Sequence, residues 1–226
     1  MRILIIEDEA PVREKLRDDL SQRGCTVNLA ADGEEGVFIG SEYTLDAAII
    51  DLGLPKIPGL EVLRQLRYIG RRFPILILTA RTSWQEKVTA FTAGADDYVT
   101  KPFEWEELFA RLCALVRRAN GWTSPLLVCG PVVLDTHRHC VTVDGRPVAF
   151  SNSELRILEH LMLCAGKVVS KQELAERVYD EDLEPQSNVI EVHVAQVRRK
   201  LDPHDELKPI ETIRGRGYLF TAPRKA

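Results

Sequence analysis

What the chain has little of narrows its class before any motif is read. No apolar run in its 226 residues approaches the ~20 that a membrane helix needs. The opening "MRILIIEDEA" meets acid after four apolar residues, too soon for the core of a signal peptide. The five cysteines (Cys25, Cys113, Cys129, Cys140, Cys164) are odd in number, scattered and never in C-x-x-C, so they read as reduced thiols, most of them packed in cores. The expected address is the cytoplasm. "HRHC" (137–140) lacks the second half of a metal site and reads as a polar strand edge. A basic excess is also missing. The formal charge is −4, divided into −3 for residues 1–120 (16 Lys/Arg against 19 Asp/Glu) and −1 for residues 121–226 (14 against 15). Any contact with nucleic acid must therefore rest on a local patch.

What is present falls into two halves of different rhythm, as the length suggests. The first alternates apolar strand candidates, "RILIIED" (2–8), "TVNLAA" (26–31), "AAIIDL" (47–52), "PILILTA" (74–80) and "DYVTK" (97–101), with amphipathic helices. The helical stretches are "APVREKLRDDLSQRG", "PGLEVLRQLRYI", "SWQEKVTAFTAG" and "EWEELFARLCALVRRA". That order predicts a five-stranded parallel sheet with helices on both faces. Ligands of such sheets gather outside the carboxyl ends of the strands. Glu7-Asp8-Glu9, Asp51, Thr79 and Lys101 stand at those ends.

A lone strand-end Asp is most often solvated or a cap. Their convergence is a different matter. Three carboxylates suit a hard divalent cation such as Mg²⁺, and a hydroxyl and an ammonium opposite them suit the oxygens of a phosphoryl group. Lys101 precedes Pro102, a pairing consistent with a rigid turn through a cis bond. The crevice reads as a phosphoryl site.

The rhythm changes at "NGWTSPLLVCGP" (120–131), a short Asn/Gly/Ser/Pro stretch expected to be a linker. The predicted boundaries are residues 1–119, a linker at 120–125, and a second domain over 126–226. Short strands follow at "LLVCG", "VVLDT", "HCVTVDG" and "RPVAF", with Asp144-Gly145 as a hairpin signal. Three helices come next. Ser151/Glu154 and Ser170/Glu173 stand in capping-box spacing at the starts of two of them. The third, "SNVIEVHVAQVRRKL", is expected to bury Ile190, Val194, Val197 and Leu201. "IETIRGRGYLF" closes the chain as a hairpin, completing winged-helix order behind an N-terminal antiparallel sheet. Asn188, His193, Gln196, Arg198, Arg199 and Lys200 of that helix, with Thr212, Arg214 and Arg216 of the hairpin, are the candidate DNA contacts. Arg and Asn/Gln match base edges in a major groove, and flexible arginines reach phosphates or a minor groove. For an isolated helix, a solvated face with cations near its C-terminus would be the simpler reading.

Taken together, "TARTSWQEKV", "GADDYVTKPF" and "RGRGYLF" resemble the OmpR/PhoB family of two-component response regulators, and its PhoP branch in particular, over essentially the whole chain. The resemblance implies a flavodoxin-like receiver in which Glu7 and Asp8 match the metal-binding acidic pair and Asp51 the phosphoacceptor. The Gly53 carbonyl matches the metal-facing position, Thr79 and Lys101 the switch hydroxyl and conserved lysine, and Tyr98 the rotating aromatic. It implies Mg²⁺, a histidine kinase as donor, and a homodimer bridged by Lys87, Asp96, Asp97, Glu107, Arg111 and Arg118. It also implies promoter DNA with half-sites about one helical turn apart, and no enzymatic role beyond self-phosphorylation and slow self-dephosphorylation with Ala80, Arg81 and Gly53 nearby.

Two segments stand apart from that pattern. Pro58 occupies a place where relatives usually carry Asp, which promises a stiffer or uncapped loop after Asp51. The acidic "YDEDLEPQ" (179–186) is a candidate RNA-polymerase contact or a solvated loop. Two rival functions fit the residues less well. A phosphatase using an aspartyl-phosphate would want an acid two residues beyond its nucleophile, where this chain has Gly53. A phosphate-independent regulator, with the receiver only a dimerisation module, would be expected to lose acceptor-site residues, and all are present.

Overall fold

This computed structural model describes residues 1–136, 138, 140–178 and 188–225. His137, His139 and the acidic loop at 179–186 lie outside them. The chain divides into two compact units, Met1–Ala119 and Asn120–Ala226.

The first unit is a parallel sheet of β1 (Arg2–Ile6), β2 (Thr26–Ala30), β3 (Ala47–Ile50), β4 (Ile75–Thr79) and β5 (Asp97–Thr100), in the order β2-β1-β3-β4-β5. Between them run α1 (Ala10–Gln22), α2 (Gly33–Glu42), α3 (Gly59–Tyr68) and α4 (Trp84–Ala93), and α5 (Trp105–Ala119) follows. Side chains alternate across a strand. Leu4, Ile6, Ala48, Ile50, Ile75 and Ile77 therefore share one face and pack with Val62, Leu63 and Leu66 of α3 and Ala90 of α4. Ile3, Ile5, Ile49, Leu76 and Leu78, of opposite parity and likewise fully buried, line the other face. There α1 and α5 are tied together, the Arg23 guanidinium lying 4.7 Å from the Phe109 ring centroid.

Within the receiver sheet's helices, α2 is the one that sequence reasoning missed. Its three glycines argue against a helix by intrinsic propensity, yet close packing requires them. A Cβ at Gly36 would meet Ile6 at 2.5 Å, and one at Gly40 would meet Leu66 at 2.6 Å. Tertiary contact overrides propensity here, with Asp32 supplying a side-chain cap to Glu35 N.

The second unit opens with an antiparallel sheet of β6 (Leu126–Cys129), β7 (Val132–Asp135), β8 (Cys140–Val143) and β9 (Arg146–Val148). Asp144 and Gly145 both take positive φ (49° and 74°), the conformation a two-residue hairpin turn demands. Helices α6 (Asn152–Leu163), α7 (Lys171–Val178) and α8 (Val189–Leu201) follow, then the hairpin of β11 (Ile210–Ile213) and β12 (Gly217–Phe220). A short strand not foreseen from sequence, β10 (Val168–Val169), joins this hairpin in the order β10-β12-β11. Ser151 and Glu154 form a complete capping box on α6. Ile190, Val194, Val197 and Leu201 are the buried residues of α8, as its periodicity predicts. The segment expected as a linker begins inside this unit: Trp122 is buried and donates from Nε1 to Leu163 O at 3.3 Å.

Candidate functional site: an acidic crevice and a recognition face

The loop after β1 carries Glu7 and Asp8. Arg13 of α1 holds that loop by donating from Nη1 to the carbonyls of Glu7 (2.7 Å) and Asp8 (3.2 Å). Asp51 follows β3 and is fixed from below by α3, whose first residue leaves no room for a side chain: a Cβ at Gly59 would sit 1.9 Å from Asp51 O. Pro58 caps α3 without a side-chain hydrogen bond, the physical consequence of proline at that place. Glu7, Asp8 and Asp51 each present a carboxylate oxygen within 4.8 Å of the others.

Lys101 reaches into this group from the end of β5, ahead of a cis bond to Pro102. Its Nζ lies 2.7 Å from Asp51 Oδ2, 2.7 Å from Glu7 Oε2 and 3.6 Å from Glu9 Oε1. Asp51 Oδ1 accepts from Gly53 N at 3.0 Å. Burial is the largest influence on both carboxylates, but the outcomes differ. It pushes Glu7 up, and the Lys101 ammonium does not overcome it. For Asp51, burial is outweighed by Lys101, the Gly53 amide and the Thr79 hydroxyl, which hold it below the usual carboxylate range. Burial depresses the Lys101 ammonium, yet its bonds to Asp51 and Glu7 keep it above its ordinary value. Among the described residues, buried Glu7 Oε1 has no hydrogen-bond partner. An orphan carboxylate oxygen of this kind is costly, and facing two further carboxylates it fits a hard cation bound by oxygens.

Thr79 ends β4 opposite Thr100, whereas Tyr98 stands near the start of β5, opposite Ile77. Thr79 is buried, and its Oγ1 lies 3.5 Å from Arg81 N. The Tyr98 hydroxyl donates to Arg81 O at 2.9 Å, its ring 6.5 Å from that of Phe91 and 5.6 Å from Lys87 Nζ.

The charges expected at a dimer interface are largely engaged within the chain. Asp96 accepts from Ile75 N and Arg67 Nη2, each at 2.8 Å. Arg111 pairs with Glu107 at 2.7 Å and Asp97 at 3.2 Å, and Arg118 donates to Ala114 O. Beside them lies a feature that the sequence reading passed over. Trp84, Val88 and Phe91 form an exposed apolar stripe on α4, at i, i+4 and i+7.

In the second unit the structure separates the candidate DNA contacts into two groups. Arg198 is turned inward, donating from Nε to Ile210 O (2.9 Å) and from Nη2 to Thr212 Oγ1 (2.8 Å). Lys200 is bound to Glu154 Oε2 at 2.6 Å. Arg198, Thr212 and Lys200 therefore join α8 to its neighbours. The exposed face of α8 holds Asn188, Glu191, Val192, Ala195 and Arg199, with His193 and Gln196 half-buried at its margins, and Arg214 and Arg216 are exposed on the hairpin turn. Val192 and Ala195 went unnoticed in the sequence because small apolar residues on a helix read as core. Exposed on this face, they are the kind of side chain that meets a thymine methyl.

A receiver with an intact acidic crevice, followed by a winged helix, defines the class: a response regulator acting on transcription. Residues 3–113 match the family described as response regulator receiver domain, and residues 145–220 match transcriptional regulatory protein, C terminal. The chain is 50% identical to the two-component response regulator PhoP of Pseudomonas aeruginosa over 98% of both chains. It is 40% identical to the transcriptional regulatory protein PhoP of Escherichia coli, over 97% of this chain and 99% of that one. A CheY-like receiver domain protein of Methanospirillum hungatei covers 53% of this chain and 96% of its own, with 25% identity and a TM-score of 0.52. The chain belongs to the OmpR/PhoB family of two-component response regulators, within the PhoP branch. Among the described residues no helix is long and apolar enough to cross a membrane.

Proposed function

We propose that Asp51 accepts a phosphoryl group from a histidine kinase and that this modification promotes receiver dimerisation and sequence-specific promoter binding. The observation that carries the reading is the crevice: Glu7, Asp8 and Asp51 converge, with Lys101 bonded to two of them. Glu7, Asp8, Asp51 and the Gly53 carbonyl would hold Mg²⁺. The bound ion would neutralise the charge that otherwise sets a carboxylate against an incoming phosphoryl group. Its lowered pKa keeps Asp51 ionised as the nucleophile at neutral pH. Lys101 then exchanges one Asp51 oxygen for a phosphoryl oxygen without leaving Glu7, and Thr79 donates to a second. Ala80, Arg81 and Gly53 border the site, where they limit the water that hydrolyses the product. Outside this self-directed chemistry the protein is a regulator and not an enzyme.

The added charge and acceptor oxygens draw on Thr79, and the response passes through Arg81 to Tyr98, whose hydroxyl holds the Arg81 carbonyl. The surface affected is α4, β5 and α5. A homodimer there would exchange intrachain pairs such as Asp97–Arg111 for pairs between subunits. Exposed pairs contribute only about 0–1 kcal/mol each, so the Trp84–Val88–Phe91 stripe supplies the apolar area that they lack. Two linked winged helices then gain effective concentration on repeated half-sites. The DNA side is carried by Asn188, Val192, Ala195, Gln196, Arg199, Arg214 and Arg216, with His193 at the margin. RNA polymerase is a further partner at the acidic loop, and the cytoplasm is the compartment this function requires.

Intact mass after incubation with Mg²⁺ and acetyl phosphate tests the reading. One added phosphoryl group is expected, absent without Mg²⁺ and absent in Asp51→Asn. Wild type left unmodified even by a competent kinase would favour the phosphate-independent regulator.

A further inference from the structure

A second convergence of ligating side chains lies in the winged-helix unit. His160 and Cys164 are four residues apart at the C-terminal end of α6, so they share a face. Glu173 comes from the first turn of α7. Ser170 Oγ accepts from Glu173 N at 3.0 Å, which anchors that turn, while the Glu173 carboxylate turns to His160. His160 Nε2 is 2.7 Å from Glu173 Oε1 and 3.8 Å from Cys164 Sγ. One ligand atom from each of the three lies within 4.8 Å of the others.

Both neighbours address the same ring nitrogen. A nucleophile–base–orienter relay would divide them between Nδ1 and Nε2. Three unlike donor atoms gathered within 4.8 Å of one another is the arrangement found around one ion. We infer that His160, Cys164 and Glu173 form a binding site, separate from the acidic crevice, for one divalent cation of the zinc class.

The donor set decides the class. A thiolate and an imidazole select borderline-soft ions, whereas Mg²⁺ prefers oxygen ligands alone. Three protein ligands leave the fourth tetrahedral position to water. Zn–N and Zn–S bonds of roughly 2.0 and 2.3 Å set at the tetrahedral angle place N and S about 3.5 Å apart, close to the 3.8 Å between Nε2 and Sγ. The Nε2–Oε1 pair, now 2.7 Å apart, must open by about 0.6 Å to reach tetrahedral spacing, and Glu173 is exposed enough to move. On binding, the Cys164 thiol releases one proton to solvent. The proton between Nε2 and the Glu173 carboxylate leaves as well, to Nδ1 if the ring is neutral or to solvent if it is charged, so that Nε2 and a carboxylate oxygen can donate lone pairs. Thiolate and carboxylate then balance the ion's charge, so Arg177, 3.9 Å from Glu173, faces no net cation. The ion would fasten the end of α6 to the start of α7.

The test is zinc titration of the reduced full-length protein against a chromophoric chelator, with excess Mg²⁺ occupying the acidic crevice, and Co²⁺ substitution read by absorption. One Zn²⁺ per chain and a thiolate-to-cobalt charge-transfer band are expected. Cys164→Ser should abolish the band. Cys164→Ser and Glu173→Gln should each weaken zinc by at least ~10-fold, in variants whose circular dichroism shows them folded. Asp51→Asn and Cys140→Ser should leave both signals in place. The inference is overturned if no stoichiometric zinc binds or if binding and band survive Cys164→Ser. Loss of zinc with Asp51→Asn or Cys140→Ser, which would move the ion to the crevice or to Cys140 of β8, overturns it as well.

Discussion

At the scale of single residues, one lysine sets two carboxylates apart. Asp51 is held below and Glu7 above the ordinary carboxylate range, and the signs of their contributions to stability differ accordingly. Asp51's contribution is complete above its unfolded value, near ~3.9, and is lost as pH falls through its lower folded value. Glu7 works in reverse, because its ionisation costs the native state stability as pH rises from about 4.3 toward its raised folded value. On acidification Glu7 should therefore take up its proton before Asp51. Carboxyl-carbon NMR titration reads both, and an Asp51 that protonates first would refute the assignment. Lys101→Met should raise Asp51 and destabilise the receiver at neutral pH by about 3 kcal/mol, the cost of unpairing buried charge. The deficit should shrink on acidification and on adding Mg²⁺. These groups were legible in the sequence because each follows an apolar run, and parallel strands deliver all their carboxyl ends to one edge of the sheet. What each group bonds was not legible. Nothing in the spacing of Glu7, Asp51 and Lys101 reveals that a single ammonium bridges both acids.

At the scale of elements, sequence patterning and structure part company where packing chooses between alternatives. The five strands and helices α1, α3, α4 and α5 follow from apolar spacing, whereas α2 hides behind glycines that Ile6 and Leu66 require. On α8, periodicity identifies the buried side but not the partners of the remaining residues. Arg198 and Arg199 are adjacent cations with opposite tasks: Arg198 fastens α8 to β11, and Arg199 is exposed. Arg198→Met should lower the stability of the winged helix by about 2 kcal/mol, the scale of charge-assisted hydrogen bonds. Arg199→Met should leave stability within about 0.5 kcal/mol and weaken DNA binding, reducing the slope of affinity against salt by about 1. Thermal melts and binding at several salt concentrations separate the two. Equal melting losses in both variants would mean that the inward and outward assignments are wrong. His160, Cys164 and Glu173 escaped the sequence reading for the same reason. A His and a Cys on a largely buried helix read as core and a Glu in capping position reads as a cap, and only packing α6 on α7 brings them together.

At the scale of the whole molecule, the boundary between the units lies at Asn120, and the short stretch beyond it is more than a tether. Arg224, near the end of the chain, donates from Nη2 to Asn120 O at 3.2 Å and Gly121 O at 2.7 Å. Its guanidinium lies 4.3 Å from the Trp122 ring centroid. Trp122 is buried and bonds Leu163 O, while Lys225 N donates to Val128 O at 2.9 Å beside the bridge between Cys129 and Arg224. Both ends of the second unit are thus fastened at one place, by residues that a Gly/Ser/Pro-rich composition marks as loop. Removing the indole strips a buried aromatic, leaves the Leu163 carbonyl unpaired and deprives Arg224 of its ring, so Trp122→Ala should cost the second unit about 3–5 kcal/mol. Calorimetry of the full chain can assign the loss. Ligands raise the melting of the unit that binds them, so operator DNA marks the winged-helix transition and Mg²⁺ marks the receiver's. The DNA-sensitive transition should fall in Trp122→Ala while the Mg²⁺-sensitive one stays in place. A fall in the Mg²⁺-sensitive transition instead would move Trp122 to the receiver side of the boundary.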